Sequence, residues 1–486
     1  MQKIFNPAKL KYSDIIIRVI GDKSLFMKRA LIVPVNVISL ILLLILPGCA
    51  IYRPLPLNKK TIAKASAPPA LKEIEKNSKV IKNPLVGKVS FKKKLTPSDV
   101  ALIAVMLNPA LKIERDSIGI SKAGLIQAGL LPNPVLGFYF AKPVSGNISG
   151  ANEPYTAYGF SPAFNINSLF LRGTKIKAAK FNLKAKEMLL LWNEWQIAQS
   201  AKLGTINFIL LSRELKLYED IENISKKRYK LINKSYKARL IGASEKSTAE
   251  IRLFNAMSDV ISLKKAVSNE KIQIYKMLNL PYGYKLPLEK NISFKIKTLI
   301  LPAKKRLISN IEKRLDLIAF RFAYESREQS LREAILAQFP SIDVSFPFAS
   351  DTSNVQTFGV GVSINFPVFN RNQGKISAEK ASRKMMFDGY INRIIKSKLD
   401  INRELSNINL ILAQYKIEEN NLSELYSINA FYNAALKDKN VPIFKIYSNN
   451  ISFLKEEINL INLKLNLLYN LIALEISSGK NINYNK

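Results

Sequence analysis

From Phe358 to Phe366 every second residue is apolar: Phe358, Val360, Val362, Ile364 and Phe366 alternate with Gly359, Gly361, Ser363 and Asn365. Ile342, Val344, Phe346 and Phe348 repeat the pattern just upstream. A period of two puts the apolar side chains on one face of a strand and the small or polar ones on the other. A soluble sheet covers such a face with helices, whereas a membrane barrel turns it to lipid and keeps the polar face inside. Each run has close to the ~9–11 residues that a tilted strand needs to cross a bilayer. Two less tidy runs, Val135 to Ala141 and Tyr155 to Ile166, occur earlier, and Pro162 is expected to break the second. Strands are therefore predicted at about 135–142, 155–166, 340–349 and 356–367. Four strands cannot close a barrel, since the smallest have ~8, and lipid does not tolerate open sheet edges. Several chains must then share one barrel, and three would supply about twelve strands.

These runs belong to a duplicated plan. A helical stretch opens at Asn108 and stops at Pro132-Asn133-Pro134; another opens at Arg314 and stops at Pro340, with the same spacing from Asn108 to Pro134 as from Arg314 to Pro340. After the strands come Gly173-Thr174-Lys175-Ile176 and its echo Gly374-Lys375-Ile376. Each leads into a helical pattern of roughly sixty residues, a break, and a second helix of ~35. At ~1.5 Å per residue the longer helices reach roughly 90–100 Å and need partners along their length. The plan divides into a first repeat over 96–283, a linker over 284–301, a second repeat over 302–479 and a tail over 480–486. The predicted class is mainly α with a membrane β-barrel portion, each repeat reading helix, strand, strand, very long helix, helix.

Composition narrows the function. The 486 residues contain no His and one Cys, which leaves no His-based catalytic or metal site and no internal disulfide. No acid–base or nucleophile constellation stands out, so no enzyme, metal or cofactor is expected. The net charge is +37, but Lys, Asn and Ile abound along the whole chain and no compact basic block with interleaved aromatics is evident; nucleic acid is not the expected partner. Trp192 and Trp195 lie well inside a helix, and read as packing between helices rather than a membrane belt.

The amino-terminal region looks like an export signal. Met27-Lys28-Arg29 precedes an apolar run from Ala30 to Leu46, followed by Pro47-Gly48-Cys49-Ala50. This resembles the lipobox of bacterial lipoproteins, which implies a signal peptide over 27–48 and acylation (palmitate) at Cys49. Pro47 departs from the usual small or branched residue. Translation is expected to start at Met27, with 1–26 an extension outside the native chain. Residues 49–95, rich in Lys, Pro, Ala and Ser, are expected to form an extended tether.

Gly361-Val362-Ser363-Ile364-Asn365-Phe366-Pro367-Val368-Phe369-Asn370-Arg371-Asn372-Gln373-Gly374 and Ala128-Gly129-Leu130-Leu131-Pro132-Asn133-Pro134, with the duplication, resemble TolC-type outer-membrane factors over about 96–479. The branch most similar is that serving heavy-metal tripartite exporters. The resemblance implies a homotrimer with a twelve-stranded β-barrel in the outer membrane and a twelve-helix α-barrel in the periplasm. It implies a passive duct for drugs or metal ions, joined by a periplasmic adaptor to an inner-membrane RND or ABC pump; the alternative is the duct of a type I protein-secretion system. It places adaptor-contact tips at Ile241, Gly242, Ala243 and Ser244 and at Asn440, Val441 and Pro442. Gly242 is expected to supply the positive φ of a tight turn. The periplasmic gate is implied near Lys445 and Ser448, with Asp438 as the nearby acid.

Overall fold

The computed structural model describes residues 51–80, 93–145, 155–292, 296, 299–435 and 443–482. The chain divides into two units, 1–67 and 68–486. In the first, helix α1 (Lys59–Ser66) is capped by Asn58, whose side chain accepts from the Thr61 amide at 2.9 Å. Ile51, Tyr52, Leu55 and Leu57 are exposed before it.

The second unit is mainly helical. Helices α2 (Leu71–Val80), α3 (Pro97–Leu107) and α4 (Pro109–Gly129) precede strands β1 (Val135–Ala141) and β2 (Ala157–Asn165). Then come α5 (Asn167–Lys237) and α6 (Ala243–Met277). The second half begins with the short α7 (Lys304–Ser309) and a 3-10 turn, then α8 (Leu315–Leu336). It continues with strands β3 (Ser341–Ser345), β4 (Phe348–Ser350), β5 (Gln356–Phe358) and β6 (Gly361–Asn365), and closes with α9 (Gln373–Ala435) and α10 (Ile443–Ser478). The two long helices have 71 and 63 residues, their partners 35 and 36. Asn108 and Arg314, the paired openings in the sequence, are the N-caps of α4 and α8.

Part of the tether segment is not extended. In α2, Ile74 is buried with Leu95, Val100, Ile103, Ile274 and Leu278, which anchors the helix to α3 and α6. Leu95 also forms a parallel bridge with Leu288, so the segment before α3 is stitched to the segment after α6.

All strand pairs are antiparallel. β2 carries β1 on one edge and both β3 and β4 on the other; β3 pairs with β6 and β4 with β5. The pairs Ser345↔Gly361 and Phe348↔Phe358 share one register. Between them the Gly359 amide donates to the Pro347 carbonyl at 3.0 Å, and Pro347 has no N–H to return the bond. β3–β4 and β5–β6 are thus two strands, each interrupted at one rung, and the sheet is a four-stranded meander. Pro162 does not break β2, contrary to the sequence expectation. Its carbonyl accepts from the Phe346 amide at 3.0 Å, and its missing N–H falls beside the Phe346–Pro347 gap, where the ladder is already interrupted.

The core lies where the helices meet about midway along α5, around Ile206 and Leu210. α5 packs on α3, α4, α6, α8 and α10, and α9 on α8 and α10. Leu307, Ile311, Leu317, Ile401, Ile408, Leu467 and Leu471 are fully buried there. The shafts are thinner: one small cluster joins Ile221, Ala256 and Ile458. Among the described residues α10 is the single helix long and apolar enough to cross a membrane, at mean hydropathy 1.2. Half of that stretch is buried in the protein, which accounts for its apolarity by packing against α5 and α9.

One polar joint ties four helices together. The buried Arg314 guanidinium chelates both oxygens of buried Asp316, at 3.0 and 2.8 Å. It also donates to Ser397 Oγ of α9 and to the Ser477 carbonyl of α10, each at 2.7 Å. Arg393 Nε reaches Asp316 from α9 at 2.7 Å. The Trp192 ring of α5 lies 4.7 Å from the guanidinium carbon, which makes it an inter-helix packing residue, and 5.1 Å from the Trp195 ring of the same helix. Gly479, at φ +67°, leaves the space that the Arg314 side chain fills.

Candidate functional site

Register carries the alternation across the whole sheet. Leu136, Phe138 and Phe140 of β1 stand opposite Pro162, Phe160 and Tyr158 of β2. Phe160 faces Phe348, with ring centroids 5.5 Å apart, and Phe164 faces Val344. Ile342, Val344 and Phe348 face Ile364, Val362 and Phe358. One face is apolar from edge to edge. It is also uncovered: Phe140 is 77% exposed and Phe358 72%. Placing such side chains in lipid is worth roughly 1.5–3 kcal/mol each. β1 and the β5–β6 strand each leave one edge without a partner among the described residues.

The opposite face is small and polar: Gly137, Gly159, Ser161, Ser345, Gly361 and Ser363, with the Asn165 amide donating to Asp343 at 2.8 Å. Two glycines there admit a neighbouring side chain. The Tyr139 ring lies over Gly159, where any Cβ would collide with it, and Ser345 Oγ occupies the space beside Gly361.

At the far end α5 turns into α6. The Leu240 amide donates to the Ser235 carbonyl at 3.0 Å and the Arg239 amide to that of Tyr236 at 2.9 Å. This double closure needs a left-handed residue at its second-last position. That residue is Arg239, at φ 59°, and not Gly242, which is extended at φ −80° as the N-cap of α6. A Cβ on Gly242 would stand 2.9 Å from Glu245 Oε2, the far end of an exposed side chain that is free to swing aside. Ile241 is half-buried, while Gly242, Ala243 and Ser244 are exposed. At the second turn, Asp438, Asn440, Val441 and Pro442 lie outside the described residues, as does Cys49. Lys445 is exposed on the first turn of α10. Ser448 is half-buried, and its Oγ accepts from Arg228 Nη1 of α5 at 3.1 Å.

The sequence reading passed over a basic cluster. Residues 226–252 hold nine Lys or Arg and two Glu. Seven of the nine lie between Lys226 and Arg239, a stretch with Tyr229 and Tyr236 interleaved and no acidic residue, so the cluster was legible in the sequence; folding adds only Lys246 and Arg252 of α6 to it. Arg228 is pushed below its ordinary value, first by burial and then by the charge of Arg252 across the hairpin. Among the described residues no group of three or more His, Cys, Asp and Glu comes together to hold a metal ion.

No protein-family model and no curated protein matches the sequence. Solved structures do match. CusC, whose crystal structures are described in terms of folding and transmembrane channel formation, is 16% identical, with TM-score 0.64, over 82% of this chain and 96% of its own. The outer membrane protein VceC of Vibrio cholerae is 15% identical, with TM-score 0.62, over 80% and 97%. The open-state MtrE outer membrane channel of Neisseria gonorrhoeae is 15% identical, with TM-score 0.62, over 83% and 96%. With its four-stranded meander set on two very long helical hairpins, the chain has the fold of TolC-type outer-membrane channels.

Proposed function

We propose that this protein is an outer-membrane lipoprotein channel, the passive exit duct of a tripartite efflux system for drugs or metal ions. The observation that carries the proposal is the sheet: an apolar face open from edge to edge and two unpaired strand edges. In lipid those edges have to be closed by other copies. Three copies give about twelve strands, within the range of known barrels. The helices favour the same assembly. Ile251, Phe254 and Ile261 on α6, and Leu399, Leu410 and Ile417 on α9, are exposed apolar side chains along the shafts, suited to neighbouring protomers. The twelve long helices would line one cylinder below the membrane.

In this proposal Cys49 carries the lipid anchor. The turns at 241–244 and 440–442 receive a periplasmic adaptor, which couples the duct to an inner-membrane RND or ABC pump. Lys445 and Ser448, with Asp438, border the narrow periplasmic end. Three exposed Lys445 side chains around a pore would favour anions.

The test is the native mass of the complex extracted from outer membranes, followed by conductance in planar bilayers. A trimer that conducts is the expected result. A soluble monomer in the periplasm would overturn the proposal, because the apolar sheet face would then need a protein cover.

A further inference from the structure

We propose that the tip of the first hairpin is an electrostatic docking surface for an acidic helical protein, and that the second tip contributes little to that attraction. The inference rests on the channel reading for its location and deepens the partner named there.

Lys226, Lys230, Lys234 and Lys237 project from α5 within an arc of roughly 80° at ~100° per residue, forming one lysine stripe. All four are exposed, and so are Lys227 and Arg239. Arg252 adds an exposed cation from α6, and Lys246 lies with its Nζ 5.3 Å from the centre of the Tyr236 ring. Among the described residues none of these cations makes an ion pair. The equivalent window of the second hairpin, 424–452, holds three Lys and two acidic residues. The excess positive charge therefore belongs to one tip and not to both.

The turn itself supplies a second observation. Three helices end with a residue in the left-handed region followed by the same backbone closure. At Asn279 and Gly479 the residue is of a type that adopts this conformation readily. At the tip it is Arg239, a long cation for which the conformation is costly. The strained position holds one more charge at the outermost point of the hairpin.

The chemistry of the partner follows. Exposed Leu240, Ile251 and Phe254 sit among the cations, and apolar side chains with a charged rim suit a packed helix pair rather than a bare polyanion. The strand-bearing membrane is excluded, because α5 alone places the tip roughly 105 Å from the strands at ~1.5 Å per residue. Opposed charges at such a rim steer encounter and make binding weaken with salt.

The probe is a synthetic antiparallel helical hairpin with a Glu-lined outer face, beside its Gln-lined isostere, on the purified full-length complex. The expected result is binding of the Glu hairpin at least about tenfold tighter than of the Gln hairpin, falling steeply between low and physiological salt. The variant carrying Lys226→Gln, Lys230→Gln, Lys234→Gln and Lys237→Gln should lose that preference, while Lys445→Gln retains it. Equal binding of the two hairpins overturns the inference. So does stronger binding to phosphatidylglycerol vesicles or to purified peptidoglycan than to the Glu hairpin. Conductance of the same preparations separates the two readings: a conducting trimer that ignores the Glu hairpin refutes the acidic partner alone, and a non-conducting one refutes the channel.

Discussion

The first hairpin turns through a left-handed Arg239 and carries nine cations against two carboxylates around its tip, whereas the second, of nearly equal length, is close to neutral over the same window. Both hang from the same joint. Trp192 of α5, Arg393 and Ser397 of α9 and Ser477 of α10 all meet Arg314 and Asp316. Duplication has therefore kept the geometry of the hairpins while their ends have diverged in charge. The ends differ where an outside partner would meet them and agree where the chain must hold itself together.

The largest effect should come from breaking what the hairpins share. Asp316→Ala leaves the Arg314 guanidinium buried without its chelating carboxylate, which costs about 3–5 kcal/mol. Thermal unfolding of the purified complex should shift down by several degrees, and hydrogen exchange should rise in α5 and α9–α10 together. A rise confined to one hairpin would show that the joint is not common to both.

Next comes the first tip. Gly242→Trp must displace the Glu245 carboxylate, which lies 2.9 Å from where the new Cβ would stand, and must crowd an exposed turn. The core around Ile206 and Leu210 lies about thirty residues back along α5, so the oligomer should keep its mass while export falls to background. Export at the normal rate would remove the first tip from the docking surface. At the second hairpin the expected change is smaller: Lys445→Asp should move the reversal potential of single channels several-fold in permeability ratio toward cations. No movement would place Lys445 off the pore, on the outside of α10.

Arg239→Gly sharpens the comparison from the other side. Glycine enters the left-handed region without penalty, so the folded protein should gain roughly 0.5–1 kcal/mol, partly offset by the freer unfolded chain. If Arg239 serves a partner, the same variant binds the acidic probe more weakly while melting higher. Tighter binding would mean that the strain has no docking role.

The sequence made part of this legible and hid part of it for physical reasons. Alternation from Phe358 to Phe366 could be read directly, because strand side chains alternate whatever lies beside them. Asn108 and Arg314 could be matched because helix starts obey local rules. Pro162 could not be placed, since a missing N–H matters only against the partner strand, and its partner is already interrupted beside Pro347. Glycine preference pointed to Gly242 for the left-handed turn, yet the chain put Arg239 there and left Gly242 extended as the N-cap of α6. The basic tip was legible as the acid-free run from Lys226 to Arg239 and was passed over because Lys abounds along the whole chain; what only the fold shows is that the run lies at the end of a hairpin. The Arg314–Asp316 joint left one faint signal, an Arg-x-Asp at a helix start.

The smallest effect separates the hairpins by pH. On α10, Glu456 is buried with one carboxylate oxygen lacking a partner. Burial pushes its pKa up first, and the facing Glu418 of α9 raises it further, while Asn459 and Asn421 pull it down. On the first hairpin, buried Glu214 of α5 and half-buried Glu270 of α6 are also raised by burial and lowered by an asparagine, Asn462 or Asn207, but no second carboxylate raises either of them. Between the unfolded carboxylate value and the raised folded one, folded Glu456 holds a proton that the unfolded chain has released. Its contribution to stability is therefore greatest at the acid end of that window and is lost as pH rises through the folded value. Glu456→Gln keeps the neutral form at every pH. The variant should be more stable than the parent at pH 7 by roughly 0.5–1 kcal/mol and should lose that advantage in mild acid. Urea unfolding at pH 5 and pH 7, followed by hydrogen exchange across α9–α10 and α5–α6, would check it. An equal pH response in both hairpins would mean that the Glu418–Glu456 contact does not set the second one apart.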